Sequence, residues 1–196
     1  MDKLTFQDLL SLEDYDATRD SFRRRLMAYK KNRLAAIGPD VVCCFEDRFT
    51  IQYQVQEMLR VERVFNRRGI EGELATYNPL IPDGSNWKAT MMIQIADIEQ
   101  RRKALARLVG IETCTWIRIE GYHAVYAIAD EDLERSTAEK TSSVHFLRFE
   151  LDSNMRKSIA QGALLSLGID HLNYRHTVEP LPAHLADALR GDLEGA

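Results

Sequence analysis

The stretch WKATMMIQI, residues 87–95, decides the class of fold that this chain adopts. Successive side chains of a β-strand point to opposite faces, so apolar residues at every second position share one face. The apolar positions of this stretch follow that rule; they are Trp87, Ala89, Met91, Ile93 and Ile95. The alternation predicts a strand with one face in the core.

Further strands are predicted on both sides of this one. Residues 41–53, with a turn at 46–47, and residues 113–132 have the pattern of β-hairpins. Residues 144–151 and 164–170 also have strand-like patterns, which brings the total to about six strands. Strands that are joined as hairpins pair antiparallel, so the sheet is predicted to be mainly antiparallel.

Helical patterns are grouped mostly near the front of the chain. Residues 6–12 and a longer basic stretch that ends near residue 38 precede most of the strands, and residues 53–65 and 98–110 have helical spacing of their apolar residues. This order does not alternate strands with crossover helices as a doubly wound fold does. We therefore predict an α+β protein, with helices packed on the sheet and an N-terminal helical arm.

The chain of 196 residues is long enough to bury one sizeable core. The pair Gly38-Pro39 marks a weak boundary. We expect a single domain, residues 1–196, in which a helical arm, residues 1–38, precedes an α+β body, residues 39–196. The arm is expected to pack on the sheet or on a second subunit, which leaves a homodimer open.

The sequence predicts neither a membrane-spanning segment nor a secretory signal. No apolar run approaches the roughly 20 residues that a bilayer span needs. The start, MDKLTFQDLLSLEDYD, lacks the order of a basic segment followed by an apolar one. We expect a cytoplasmic protein.

No intrinsic cofactor is predicted from the sequence. The three cysteines, Cys43, Cys44 and Cys114, form no C-x-x-C pair, which argues against a zinc site or an iron-sulfur cluster held by cysteines. No helix carries the Glu-x-x-His repeat of di-iron bundles. Sequence signatures of nucleotide hydrolysis, nicotinamide binding, serine hydrolases and zinc proteases are also missing.

A strongly basic segment, residues 19–33, contrasts with the net charge of −4 for the whole chain. Such a segment can be a solvated helix face, or it can contact an acidic protein or a nucleic acid. Nucleic acid is the less favoured partner. The candidate partner-binding residues are Arg19, Arg23, Arg24, Arg25, Lys30, Lys31 and Arg33.

Glu62 is the most unexpected residue of the helix predicted over YQVQEMLRVERVF, residues 53–65. At about 100° per residue, Glu62 falls inside the apolar arc of that helix. A buried carboxylate costs several kcal/mol unless it is paired or bound to a cation. Glu62 is therefore expected to have a structural partner, or to act as a metal ligand or general base. Glu57 and Arg60 lie nearer the polar side and can form a surface charge lattice.

His145 is the second unexpected residue. In the strand VHFLRFEL, residues 144–151, it alternates in register with Leu147 and Phe149, so it is predicted to lie on an apolar face. It can be a hydrogen-bonded core histidine or a metal ligand opposite Glu62. A metal ion is thus possible, with Glu62 and His145 as its candidate ligands.

The loop NPLIPDGSNW, residues 78–87, has features of a turn that faces a ligand. Asn78 can donate and accept hydrogen bonds, and Trp87 can stack on a planar group. Trp87 can equally fill the core and leave the loop as an ordered connector, because it begins the apolar alternation of the strand.

Four stretches carry a family resemblance: FEDRFTIQYQVQEMLRVERVF, ELATYNPLIPDGSNWKATMMIQI, SSVHFLRFEL and GIDHLNY. Over nearly its whole length the chain is similar to the bacterial domain-of-unknown-function family 3501. The family's characteristic polar set corresponds to Gln56, Glu57, Arg60, Glu62, Glu73, Tyr77, Asn78 and Pro82. The sequence departs from the family at DHLNY, where DHPxY is more usual, which puts a shared role for His171 in doubt.

The resemblance implies redox partners, because genes of the family neighbour those of a rubrerythrin-like di-iron protein and an iron-sulfur protein. One hypothesis is therefore an accessory protein that binds such partners through the basic segment. A second is an enzyme or a binder of a small ligand or metal, and a third, less favoured, is an RNA-binding protein. The pocket of the second hypothesis is predicted to contain Gln56, Glu57, Arg60, Glu62, Glu73, Tyr77, Asn78, Trp87 and His145.

Overall fold

The structure, a computed structural model, describes residues 2–193, so the other residues of the predicted domain 1–196 lie outside it. Helices and strands occur together, and every strand pair is antiparallel, which confirms the α+β prediction. The α-helices are α1 (Leu12–Lys30), α2 (Arg48–Val61), α3 (Arg67–Tyr77), α4 (Ile98–Arg107), α5 (Ser153–Ala160) and α6 (Ala183–Gly191).

The strands form two sheets, with the orders β1-β2-β3-β7-β6 and β5-β4-β8-β9. They are β1 (Leu34–Ile37), β2 (Val41–Phe45), β3 (Asn86–Ile93), β4 (Thr115–Ile119), β5 (Val125–Tyr126), β6 (Ile128–Ala129), β7 (Val144–Glu150), β8 (Leu165–His171) and β9 (Tyr174–Val178).

The opening stretch of the sequence analysis is the central strand of the five-stranded sheet, where β3 pairs with β2 on one side and β7 on the other. Its alternation is confirmed, since Trp87, Ala89, Met91 and Ile93 are buried. They share one core with residues of the four-stranded sheet, such as Ile117, and with helix α6. Apolar residues on both sheets therefore cover each other, which is why one face of each sheet is apolar.

Cys43 and Cys44 lie next to each other in β2 and are both buried. Burial raises the pKa of each thiol to about 12. Cys114 is half-buried in a 3₁₀ turn, and its pKa is also raised by burial.

A second, smaller core lies around helix α2. It contains Leu4, Ile51, Val55, Leu59, Leu74 and Ile81. The N-terminal segment, α2, α3 and the loop after α3 meet there.

The predicted hairpin over residues 41–53 is wrong. Only its first half is a strand, and helix α2 begins at Arg48. Asp47 caps this helix: its carboxylate accepts a hydrogen bond from Thr50 N at 2.8 Å, and Thr50 Oγ1 accepts one from Asp47 N at 2.9 Å. This reciprocal capping box starts a helix more strongly than the short alternation after it favours a strand.

The predicted end of the basic helix near residue 38 is also wrong. Helix α1 ends at Lys30, and residues 34–37 form β1, which pairs with β2. Gly38 has φ +71 in the turn between these strands, a conformation that favours glycine. The helical arm is therefore shorter than predicted, and the chain before residue 38 already contributes to the sheet.

No helix in the described range 2–193 has the length and apolar character that crossing a membrane requires.

Candidate functional site

Glu62 is exposed, so the predicted burial of this carboxylate is wrong. Helix α2 ends at Val61, and Glu62 is its C-cap. Arg63 has φ +54, and Val64 N donates to Leu59 O at 2.9 Å, which is the Schellman pattern of a helix end. The apolar arc therefore stops before Glu62, because the chain turns away from the helix axis there.

Two amides of the predicted pocket hold the N-terminal segment. Asn78 Oδ1 accepts from Leu4 N at 2.8 Å, and its Nδ2 donates to Leu4 O at 2.9 Å. Gln56 Oε1 accepts from Leu10 N at 2.6 Å, and its Nε2 donates to Leu10 O at 3.4 Å. Both side chains satisfy backbone groups of that segment, which lacks regular sheet pairing there.

Glu57 is an anchor for helix α1. Arg19 donates to both of its carboxylate oxygens, at 2.7 and 2.8 Å, and Tyr15 donates to Glu57 Oε1 at 2.7 Å. Arg60 lies 3.5 Å from Glu57 Oε2. The hydrogen bonds from Arg19, supported by Tyr15, lower the pKa of Glu57 to about 2. The surface charge lattice expected for Glu57 and Arg60 thus includes helix α1.

Glu62, Glu73 and Tyr77 form a separate group. Burial and the charge of Glu62 raise the pKa of Glu73, and burial and Glu73 raise the pKa of Tyr77. Trp87 is fully buried, and its Nε1 donates to Leu189 O at 2.8 Å, so it belongs to the core. The residues of the predicted pocket therefore have different partners and lie in several places.

His145 is fully buried on β7, as predicted, and lies in a polar cluster. Its Nδ1 donates to Asp130 Oδ2 at 2.6 Å. On the other side of the ring, Nε2 lies 2.8 Å from Thr141 Oγ1, 3.1 Å from Ser142 O and 3.8 Å from Glu112 Oε2. His145 is thus a hydrogen-bonded core histidine, and the nearby carboxylates are Asp130 and Glu112.

Two irregular segments bring these carboxylates to His145. Glu112 lies in the 3₁₀ turn Ile111–Cys114, is 7% exposed, and accepts from Ser136 Oγ at 2.9 Å. Asp130 directly follows β6 with φ +51, a backbone conformation that aspartate tolerates better than most residues. Its Oδ1 accepts from Phe146 N at 3.0 Å, and Arg135 Nε lies 3.2 Å from the same oxygen.

The cluster of Glu112, Asp130 and His145 could hold a metal ion. Each of the three offers one ligand atom, and these atoms lie within 4.8 Å of one another. A shallow cavity of about 400 Å³ is lined in part by Glu112, Asp130 and Ser136, and His145 is not among its lining residues. Sequence patterns did not identify Glu112 or Asp130 as partners of His145, since they come from a 3₁₀ turn and the end of a two-residue strand.

Comparison with protein families identifies the family of this chain. The model of a family described as "Protein of unknown function (DUF3501)" matches residues 3–193. The chain belongs to this family. The resemblance that was inferred from the four sequence stretches is thereby confirmed.

A solved structure has the same fold. It is the crystal structure of a protein of unknown function from Burkholderia pseudomallei K96243, with 49% sequence identity and a TM-score of 0.94. The match covers 98% of this chain and 100% of that chain. In the search of curated proteins, nothing matched.

The basic segment is divided by its contacts. Arg19 pairs with Glu57, and Arg33 is buried and pairs with Asp192. Arg25 lies over the ring of Phe49, at 5.2 Å from its centroid. Arg23, Arg24 and Lys31 line a shallow groove with Asp20, Met27 and Ala28, and Lys30 is half-buried.

Proposed function

We propose that this protein binds a divalent transition-metal ion at His145 and Glu112, with Asp130 holding the imidazole. The observation that carries the proposal is the distance of 3.8 Å between His145 Nε2 and Glu112 Oε2, on two side chains that are both buried. This keeps His145 in the role of metal ligand that the sequence suggested, with Glu112 in the place of Glu62.

The distances suit such an ion. Nitrogen and oxygen ligands lie about 2.0–2.2 Å from zinc, so two ligands of one ion are separated by roughly 3–4 Å. His145 Nε2 and Glu112 Oε2 are 3.8 Å apart. Asp130 accepts from the opposite ring nitrogen, as carboxylates do behind metal-bound histidines. An imidazole ligand favours zinc, iron, copper or nickel over calcium and magnesium, which prefer all-oxygen sites.

The test is to titrate chelator-treated protein with Zn²⁺ and with Mn²⁺ and to measure the heat of binding by calorimetry. We expect one ion per chain, and Glu112→Gln should weaken binding strongly because it removes the anionic ligand but keeps the side-chain shape. Asp130→Asn should weaken it about 10- to 100-fold, as is usual for the partner of a ligating histidine. Glu139→Gln, an exposed carboxylate, is the matched control. Equal affinities of native protein and Glu112→Gln would refute the proposal.

We also propose an accessory role, in which the groove on helix α1 binds an acidic protein. Met27 is 57% exposed between Arg23, Arg24 and Lys31, although the chain as a whole is acidic. An apolar residue within a basic rim is a common composition for a binding surface. The redox proteins implied by the family resemblance, a di-iron protein and an iron-sulfur protein, are the partners that we propose.

The double variant Arg23→Glu/Arg24→Glu tests this role. The native protein should bind either redox protein at low salt, and this binding should weaken as salt is added, because exposed charges are screened. The variant should not bind. Arg67→Glu, on the exposed face of α3, is the control and should bind normally. Absence of binding by the native protein at low salt would reject the accessory role, and binding to mixed oligonucleotides instead would favour nucleic acid.

A further inference from the structure

A second cavity lies on the face of the five-stranded sheet that points away from the shared core. Its volume is about 80 Å³, and its wall includes Glu46, Lys88, Arg148, Pro79, Leu80 and Phe146. Lys88 and Arg148 are paired positions of β3 and β7, so their side chains lie side by side on this face. Pro79 and Leu80 come from the loop of residues 78–87, which has features of a turn that faces a ligand.

Glu46 is the unusual residue of this cavity. It is 3% exposed, and its Oε1 accepts from Thr90 Oγ1 at 2.6 Å. The other carboxylate oxygen, Oε2, is buried and has no hydrogen-bond partner among residues 2–193. A buried carboxylate oxygen without a donor costs more than about 1–3 kcal/mol, so this atom favours any donor that can reach it.

The neighbouring cations are already engaged. Glu46 N donates to Lys88 O at 2.8 Å, which makes the two residues neighbours across the sheet, but the Lys88 ammonium donates to Pro79 O. Arg148 donates to both carboxylate oxygens of Glu131, at 2.7 Å each, and also bonds Glu150. The cavity is therefore lined by a carboxylate with one unpartnered oxygen, beside cations that have other partners.

The charge and size of the cavity limit what can enter. Its lining contains three carboxylates, Glu46, Glu131 and Asp132, and two cations, Lys88 and Arg148. Glu131 pairs with Arg148 and Asp132 with Arg135, so Glu46 is the lining carboxylate that has no salt bridge within residues 2–193. The remaining wall residues are apolar. A cavity of about 150 Å³ accommodates benzene, so one of about half that volume accommodates roughly three or four non-hydrogen atoms.

We propose that this cavity binds a small organic cation, an aliphatic ammonium or guanidinium ion. One of its N–H groups donates to Glu46 Oε2, and its carbon atoms contact Leu80 and Phe146. Lys88 and Arg148 donate to other acceptors, and Glu46 Oε2 has no donor among residues 2–193. The site differs from the proposed metal site, which contains neither Glu46 nor Lys88.

The test is titration of the full chain with ethylammonium chloride and with guanidinium chloride at low, non-denaturing concentration. The amide chemical shifts of Lys88 and Phe146, measured by NMR, are the readout. Ethanol, with the same carbon chain and no charge, and sodium chloride are the control solutes. Saturable shifts are expected with the two organic cations and not with the controls. Shifts of equal size with ethanol would mean simple apolar filling and would overturn the proposal.

Two variants distinguish the carboxylate from the cavity. Glu46→Gln should weaken ethylammonium binding at least tenfold, while Glu139→Gln should bind as the native protein does. Since Glu46→Gln also removes an unpaired buried charge, we expect it to fold. Leu80→Phe keeps the carboxylate but fills the cavity, and it should abolish the shifts. Binding that survives either Glu46→Gln or Leu80→Phe, or a native protein that shows no saturable shift, would reject the site.

Discussion

Gly168 permits the close packing of strands β4 and β8. It lies opposite Trp116, and a Cβ atom at this position would approach the indole to 2.3 Å. No ordinary packing contact is that short, so the ring or the strand would have to move.

We therefore expect Gly168→Ala to lower the free energy of unfolding by about 3 kcal/mol, the upper part of the usual range for overpacking. Chemical denaturation measures it. Gly72→Ala is the matched control, because a Cβ on that helical glycine meets nothing within 4 Å. The control should be neutral or stabilising by up to about 1 kcal/mol. Equal stabilities for the two variants would contradict this account of Gly168.

Glu57 predicts a dependence of stability on pH. Its pKa of about 2 in the folded chain lies below the ordinary value, so its bonds with Arg19 and Tyr15 stabilise the fold above about pH 4.5. That stabilisation is lost as the pH falls towards 2. Glu57→Gln should cost about 1–2 kcal/mol at pH 7, and the difference from native protein should shrink between pH 4.5 and 3. Glu71→Gln is the control, because Glu71 forms an exposed ion pair with Arg67 on α3. Its stability should differ little from that of the native protein at either pH.

At this scale the sequence predicted some burial and missed some. The burial of His145 follows from strand alternation, which depends only on its neighbours along the chain. The exposure of Glu62 depends on where α2 ends, and that is set by the left-handed backbone of Arg63, which no apolar period encodes. Glu112 and Asp130 could not be assigned to His145, because their approach depends on how the two sheets are joined.

At the scale of elements, amides fasten the N-terminal segment to the rest of the molecule. Asn78 forms a reciprocal pair with the backbone of Leu4, and Gln56 forms one with Leu10. The segment carries Leu4 into the small core around α2. These are residues of the family's polar set, and their described contacts are with the protein's own backbone.

Asn78→Ala should therefore release this segment. We expect faster amide exchange for residues 4–10, with a loss of about 1–2 kcal/mol in stability, because two backbone groups lose their partners. Exchange within the five-stranded sheet should stay slow. Asn154→Ala, on α5, supplies a comparison in which residues 4–10 should exchange as in native protein. Unchanged exchange in Asn78→Ala would show that other contacts hold the segment.

The sequence predicted the strand β3, the hairpin of β4 and β5, and the helical character of residues 53–61, because each has a repeating pattern over several residues. It failed at 46–53, where one capping box around Asp47 changes strand to helix. The division into two sheets also could not be predicted, since β5 and β6 lie almost next to each other in the chain but pair in different sheets.

At the scale of the whole molecule, a buried ion pair joins the start of the five-stranded sheet to the segment after the last helix, α6. Arg33, before β1, bonds Asp192, which follows α6, and its Nη1 lies 3.4 Å from Asp47. Burial raises the pKa of Asp192 to about 6 in spite of the Arg33 guanidinium. For Arg33 burial acts against the charge too, but Asp192 and Asp47 outweigh it and its pKa is raised. Desolvation therefore offsets much of the attraction within this pair.

Asp192→Ala should destabilise the protein by about 3–5 kcal/mol, because Arg33 then stays buried without its main partner. The double variant Arg33→Met/Asp192→Leu should recover part of that loss, since an apolar pair avoids desolvation of both charges, while Phe45 O and Glu46 O lose their hydrogen bonds from Arg33. Denaturant unfolding of the native protein, Arg33→Met, Asp192→Leu and the double variant measures the coupling. A double variant as unstable as Asp192→Leu would contradict the expected recovery.

The buried cysteines of β2 allow the opening of the five-stranded sheet to be measured in the native protein. A thiol with a pKa of about 12 that is also shielded from solvent reacts with an alkylating reagent only after the sheet around it opens. Cys114 is half-buried in a 3₁₀ turn, so we expect it to react at a different rate. The rate at which Cys43 and Cys44 are labelled in native buffer therefore reports how often the five-stranded sheet opens, without denaturant and without any substitution in the chain.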